Sequence, residues 1–142
     1  MSTRVIEAIV SLWDSESLDS TFPGGLWFEV APPGTEYPFV QVSSLGNVPG
    51  MWTSTSEHRE QRYQMSIFYE EATGTDPASA LGTLMRVLDD AFCHASLSIP
   101  SSAGHVYDVI RTRDDINLDK ETRIWVGVID YLVRRRLPVS YS

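Results

Sequence analysis

The sequence predicts an α+β domain with two helices packed on one face of a mainly antiparallel sheet of four to five strands, in the order α-β-β-β-α-β-β. Three observations predict it. Apolar residues recur every three to four positions in two segments, 3–13 and 76–96; strict alternation runs from Gln61 to Tyr69; and two further apolar strands follow the second helical segment. The 142 residues are expected to form a single domain, 1–142, and a chain of that size buries about 68–70% of its unfolded surface. Hydrophobic residues at 42% and charged residues at 21% are ordinary globular usage, which excludes a fully disordered or collagen-like chain.

The first helix is carried by Val5, Ile6, Ile9, Val10, Leu12 and Trp13, with Arg4, Glu7 and Ser11 between them. A polar segment, Asp14–Ser20, and the punctuation Pro23-Gly24-Gly25 follow. Leu26–Val30 reads as a short strand, Ala31-Pro32-Pro33-Gly34 as a turn, and Phe39–Ser43 as a second strand, so that the pair is expected to be a hairpin. Residues 44–57 read as a flexible loop. Gly46, Pro49 and Gly50 sit there among Ser and Thr, and Asn47, Met51 and Trp52 are its candidate contact residues. Trp52 can act as an exposed interface anchor or fold back over the sheet; the sequence leaves both open.

From Gln61 the alternation puts Tyr63, Met65, Ile67 and Tyr69 on one face and Arg62, Gln64, Ser66 and Glu70 on the other, with Phe68 as the exception. The second helix has the strongest local signal. Asp76 suits the N-cap, because its carboxylate accepts a free backbone N–H, and Pro77 suits the first turn, where its missing N–H costs nothing. Leu81, Leu84, Met85, Leu88, Ala91, Phe92 and Ala95 form its apolar stripe. Val106–Arg113 and about Thr122–Arg135 are the last two strands. The final one is apolar on both faces and reads as central or doubly covered.

Eleven Lys and Arg against nineteen Asp and Glu leave a net charge of −8, so attraction to a phosphate backbone by bulk charge is excluded. The charge is uneven. Residues 1–57 carry Arg4 against seven acidic side chains, whereas the remainder is nearly balanced and carries Arg134-Arg135-Arg136 near its end. The longest strictly apolar run, Ile124–Ile129, is far too short to span a bilayer, and no targeting segment is read at the start. One cysteine, Cys93, permits no internal disulfide or cysteine-based zinc site and reads as a small buried hydrophobe; a soluble protein of a reducing or redox-neutral compartment is expected.

Groups for catalysis are sparse. Cys93 and His94 are neighbours on a helix and diverge by about 100°. His58 lies in a charged run and His105 begins a strand, so no histidine pair has metal-ligand spacing, and no phosphate-cradling glycine motif occurs. Asp114, Asp115, Asp119 and Glu121 cluster where a turn between the last strands accounts for them. Neither catalytic residue, cofactor nor metal is expected. The expectation is a protein that works through its surfaces, with Asn47, Met51, Trp52, Arg134, Arg135 and Arg136 as the candidate assembly interface. A pocket-forming binding module and an enzyme using the carboxylate cluster are the competing readings.

A family resemblance favours the first. The helix around Ile6-Glu7-Ala8-Ile9, the segment Ala31-Pro32-Pro33-Gly34 leading to Tyr37-Pro38-Phe39-Val40-Gln41-Val42, and the strand Tyr63–Tyr69 followed by the Asp76–Ser96 helix resemble the tail-completion, or tail-terminator, proteins of long-tailed bacteriophages. The order continues through Asp114-Asp115, Asp119-Lys120-Glu121-Thr122 and a final strand bearing Asp130-Tyr131. The resemblance implies a virion protein without catalytic residues, assembled in the host cytoplasm. Such a protein forms a ring, commonly a hexamer, at the head–tail junction. Its partners would be copies of itself, the tail-tube protein and the head-completion or connector protein, with no sequence-specific nucleic acid and no membrane. A head-closure ring in the neck is the neighbouring alternative.

Overall fold

The computed structural model describes residues 3–52, 56–72, 74–93 and 105–138, and side chains within 6–45, 61–72, 74–93 and 109–133. Helix α1 (Thr3–Ser15) leads through a one-turn 3-10 helix (Leu18–Ser20) to strands β1 (Leu26–Phe28), β2 (Phe39–Trp52) and β3 (Ser56–Glu70). Helix α2 (Pro77–Phe92) and strands β4 (His105–Asp119) and β5 (Ile124–Pro138) follow. The five strands form one sheet in the order β1-β2-β3-β5-β4.

The α+β class stands, with two corrections. The sheet is mixed, because β1 runs parallel to β2, with Leu26 beside Val40 and Phe28 beside Val42. The expected hairpin is therefore absent. Glu29, in the left-handed region at φ 68°, turns the chain out of β1, and residues 29–38 carry it back to re-enter beside β1 in the same direction. A strand of three residues needs only a short return path, so a ten-residue connection suffices. The element order also gains the 3-10 helix inside the expected polar segment. There Leu18 and Phe22 are buried, and the Trp13 indole packs at a 37° tilt against Phe22, ring centroids 5.5 Å apart, while its Nε1 donates to Asp19 at 2.7 Å.

Residues 44–52 and 56–57, expected to belong to a loop, run in β2 and β3; 53–55 lie outside the described residues. The pairing slips between Ser44 and Gly46 and between Pro49 and Trp52, so the glycines and the proline fall beside irregularities that tolerate them. Strands β4 and β5 also outrun their expected bounds, and Asp114 and Asp115 sit within β4 rather than in the turn.

One side of the sheet meets both helices. The alternation in β3 buries Tyr63, Met65 and Ile67; the same face of β5 buries Gly127, Ile129, Tyr131 and Val133; and β2 adds Val40 and Val42. Onto them α1 lays Ala8, Ile9 and Trp13, and α2 lays Leu81, Met85, Leu88 and Phe92. Val10, expected on the inner face of α1, is exposed. The α2 start follows the sequence reading, with Asp76 accepting from the Ala78 N–H at 3.2 Å and Pro77 in the first turn. The helix ends at the Cys93 cap, and Cys93 packs half-buried against the core; residues 94–96 lie outside the described residues. Gly127 lets α2 approach β5, since a β-carbon there would come within 2.7 Å of Met85 Sδ. The opposite face is less enclosed. Phe68, Val126, Val128 and Leu132 are only half-buried, so β5 is interior to the sheet but covered by helices on one side.

Candidate assembly interface

Two regions stand out from the packed body. The first is the end of the sheet beyond the row formed by Gln61, Val133 and Val109, which closes the described core. Past that row β2, β3, β5 and β4 continue side by side to Trp52, Ser56, Pro138 and His105. Asn47 lies on that row, and the extension carries the other residues the sequence singled out for assembly. Asn47 pairs with Gln61 and Trp52 with Glu57, while Met51 lies in the irregular stretch just before Trp52. Arg134 lies between Glu60 and Asp108, Arg135 between Arg59 and Val106, and Arg136 between His58 and His105. The side chains of Asn47, Met51, Trp52 and the three arginines lie outside the described residues. The two sets are separated by β3, so their strands stand roughly 10 Å apart at 4.7–4.9 Å per strand.

The second region is an open cleft of about 310 Å³ between α2 and the edge strand β4. Gly82, Met85 and Arg86 form one wall and Arg111, Asp114 and Ile116 the other. A clip spans its end. Asp89 of α2 accepts the Tyr131 phenol on one oxygen at 2.9 Å and Arg111 Nη1 on the other at 2.8 Å, and Asp114 approaches the same Arg111 nitrogen at 3.9 Å. Burial, and then the Asp89 charge, push the Tyr131 phenol well above its ordinary pKa. The phenol is therefore held protonated, as a donor, and Asp89 is occupied on both oxygens. This arrangement fastens a helix to a sheet; it offers no free base beside a nucleophile.

The carboxylates clustered in the sequence separate in space. Asp119 caps the β4–β5 turn, accepting from the Glu121 N–H at 3.0 Å, and that bond together with the Thr122 hydroxyl lowers its pKa. Asp115 accepts from the Ile116 N–H at 2.8 Å. Among the described residues, no group of three His, Cys, Asp or Glu could hold a metal ion. No helix is long and apolar enough to cross a membrane. The cleft escaped sequence reading because β4 was expected to end at Arg113. The alternation Asp114-Asp115-Ile116-Asn117-Leu118 carried the missing signal, since Ile116 and Leu118 share a face.

No protein-family model matches the chain, and no curated protein matches it. Among solved structures, a chain in the virion of a native gene transfer agent particle has a similar fold, with a TM-score of 0.53. The match covers 80% of this chain and 78% of that one, at 16% identity, and the likeness is one of fold.

Proposed function

We propose that this chain is a structural subunit of a phage-like virion. In this reading it closes a ring, commonly of six copies, at the head-proximal end of the tail, where it terminates the tail tube and joins it to the head connector. Its work is contact, without chemistry, and its partners are further copies of itself, the tail-tube protein and the connector. The observation that carries this reading is the fold likeness to a chain of a gene transfer agent virion over four-fifths of the sequence. The residue order that resembles tail-completion proteins supports it independently.

The physical build agrees with a ring. One edge of the sheet is the three-residue strand β1, the other the fifteen-residue strand β4 with α2 packed against it, so the two flanks differ in length and cover. A subunit with unlike flanks associates head to tail, and such contacts generate rings or filaments. Multi-angle light scattering over a concentration series, with negative-stain electron microscopy of the heaviest species, tests the reading. Closed rings of uniform size are expected. A chain that remains monomeric at about 1 mM, where a contact of about 4 kcal/mol already registers, overturns it.

A further inference from the structure

The sheet face turned away from the helices carries an aromatic stripe. Tyr37, Phe39 and Phe68 follow one another across it, with ring centroids 5.4 and 4.8 Å apart, and Val126 continues the row on β5. Among the described residues, Phe39 is the buried apolar side chain that stands outside the helix-side core. Its neighbours Tyr37, Phe68 and Val126 are only half-buried.

A hollow lined by Glu36, Glu70 and Glu71 opens at the end of this stripe, with Tyr37 and Tyr69 in its wall. All three glutamates are exposed, and none has an ion-pair partner among the described residues. The β4–β5 turn at the same end of the sheet sets Asp119 and Glu121 against Lys120 and Arg123, so it leaves the glutamates uncompensated. A single copy thus presents aromatic surface beside concentrated negative charge.

The other end of the sheet shows the reverse. Arg134 has carboxylates as cross-strand neighbours, Glu60 and Asp108, but Arg135 stands beside Arg59 and Val106, and Arg136 between His58 and His105. Like charges directly opposite each other cost stability, so the Arg59–Arg135 pairing is unexplained within a single copy. Among the strand residues of this end, Glu57, beside Leu137, is the acidic one left against Arg59, Arg135 and Arg136. The arginines run directly into Leu137 and Pro138, so the basic end has an apolar continuation.

We infer that the basic sheet end of one copy docks on the outer face of the next, with Arg135 and Arg136 toward Glu36, Glu70 and Glu71, and Leu137 and Pro138 on the aromatic stripe. Charge selects this occupant. In a chain of net charge −8, the acidic hollow is repelled by the average surface of a second copy and attracted to this end of it. Reach excludes the same copy as donor. From Val126 to Arg135 strand β5 climbs roughly 30 Å at about 3.3 Å per residue, and a strand paired on both sides cannot fold back over its own sheet. The two surfaces differ, so every copy offers both and the contact repeats head to tail.

The inference rests on the ring reading, and one experiment separates the two. Glu70→Arg with Glu71→Arg reverses the hollow, and Arg135→Glu with Arg136→Glu reverses the basic end; thermal melts check that each variant keeps the fold. Sedimentation velocity is expected to show wild-type assembly, self-association weakened about tenfold or more in each variant, and assembly recovered in a 1:1 mixture. The mixture recovers because the two variants bring opposite charges together at both kinds of contact. Wild-type assembly with unaltered assembly of the variants overturns this contact and leaves the ring reading standing. Weakened variants whose mixture recovers nothing overturn it equally. A wild type that stays monomeric overturns both readings. Should the arginine variant melt early, Arg135→Gln with Arg136→Gln takes its place, and the mixture is then expected to stop at dimers joined by one intact contact.

Discussion

The Tyr131 phenol donates a 2.9 Å hydrogen bond to Asp89, joining the middle of β5 to the last third of α2 across 42 residues of sequence. Arg111 of β4 holds the other carboxylate oxygen, so three elements meet at one side chain. Tyr131→Phe removes the donor and leaves Asp89 paired to Arg111. It is expected to lower stability by about 1.5–3 kcal/mol, the range for a hydrogen bond to a charged group. Denaturant unfolding at pH 8 measures this. The gap carries a pH signature. The folded phenol has a raised pKa, so its contribution is complete below the unfolded value near 10 and is lost as pH rises above it. The difference between wild type and variant should therefore narrow by about 1.4 kcal/mol for each pH unit beyond 10. A gap unchanged between pH 8 and pH 11 would contradict the clip.

Leu88 is fully buried on the inner face of α2, immediately before the clip residue Asp89. Leu88→Ala should cost about 2–5 kcal/mol, since a cavity under a packed helix collapses only in part. Urea unfolding reads the loss as a lower midpoint. A near-neutral shift would mean that α2 meets the sheet through another face.

Two glycines should respond in opposite directions. Gly127→Val drives a side chain into Met85 and Leu81 and should destabilise by about 1–3 kcal/mol, as overpacking does. Gly82→Ala meets open space and gains helix propensity, so it should stabilise the single copy by about 1 kcal/mol. Thermal melts under conditions that prevent self-association compare them. If both lower the melting temperature, the assignment of Gly82 to an empty wall is wrong.

Trp52 lies at the far end of β2, across from Glu57 and beyond the described core. Trp52→Ala should leave the far-ultraviolet circular dichroism and melting temperature within error of wild type while weakening capture on isolated tail tubes in a co-sedimentation assay. Loss of folding would assign Trp52 to the core.

Local signals made much of the fold legible. The Asp76–Pro77 start of α2, its apolar stripe and the alternation of β3 are decided by residues within a turn or two of each other. Capping and face periodicity act at that range, and the structure bears them out. The class and the one-sided helix layer follow from those elements. Residues whose role depends on distant neighbours were misread. Pro49 and Gly50 look like loop formers, yet they fall at pairing irregularities where a missing donor or side chain does little harm. Leu26–Phe28 looks like half of a hairpin, but its direction is set by how residues 29–38 return, which no local preference encodes.

The candidate interface divides in the same way. Asn47, Met51, Trp52 and the three arginines could be selected by residue type, whereas their gathering on one end of the sheet comes from β2, β3 and β5 pairing in a particular register. Where helices and strands nucleate, and which of their faces are apolar, is written in short stretches of residues, because those preferences are local. The parallel direction of β1 and the convergence of Tyr131 and Arg111 on Asp89 emerge only when the chain is folded. Strand order and register are set by the mutual burial of side chains far apart in the chain, and no short stretch carries that information.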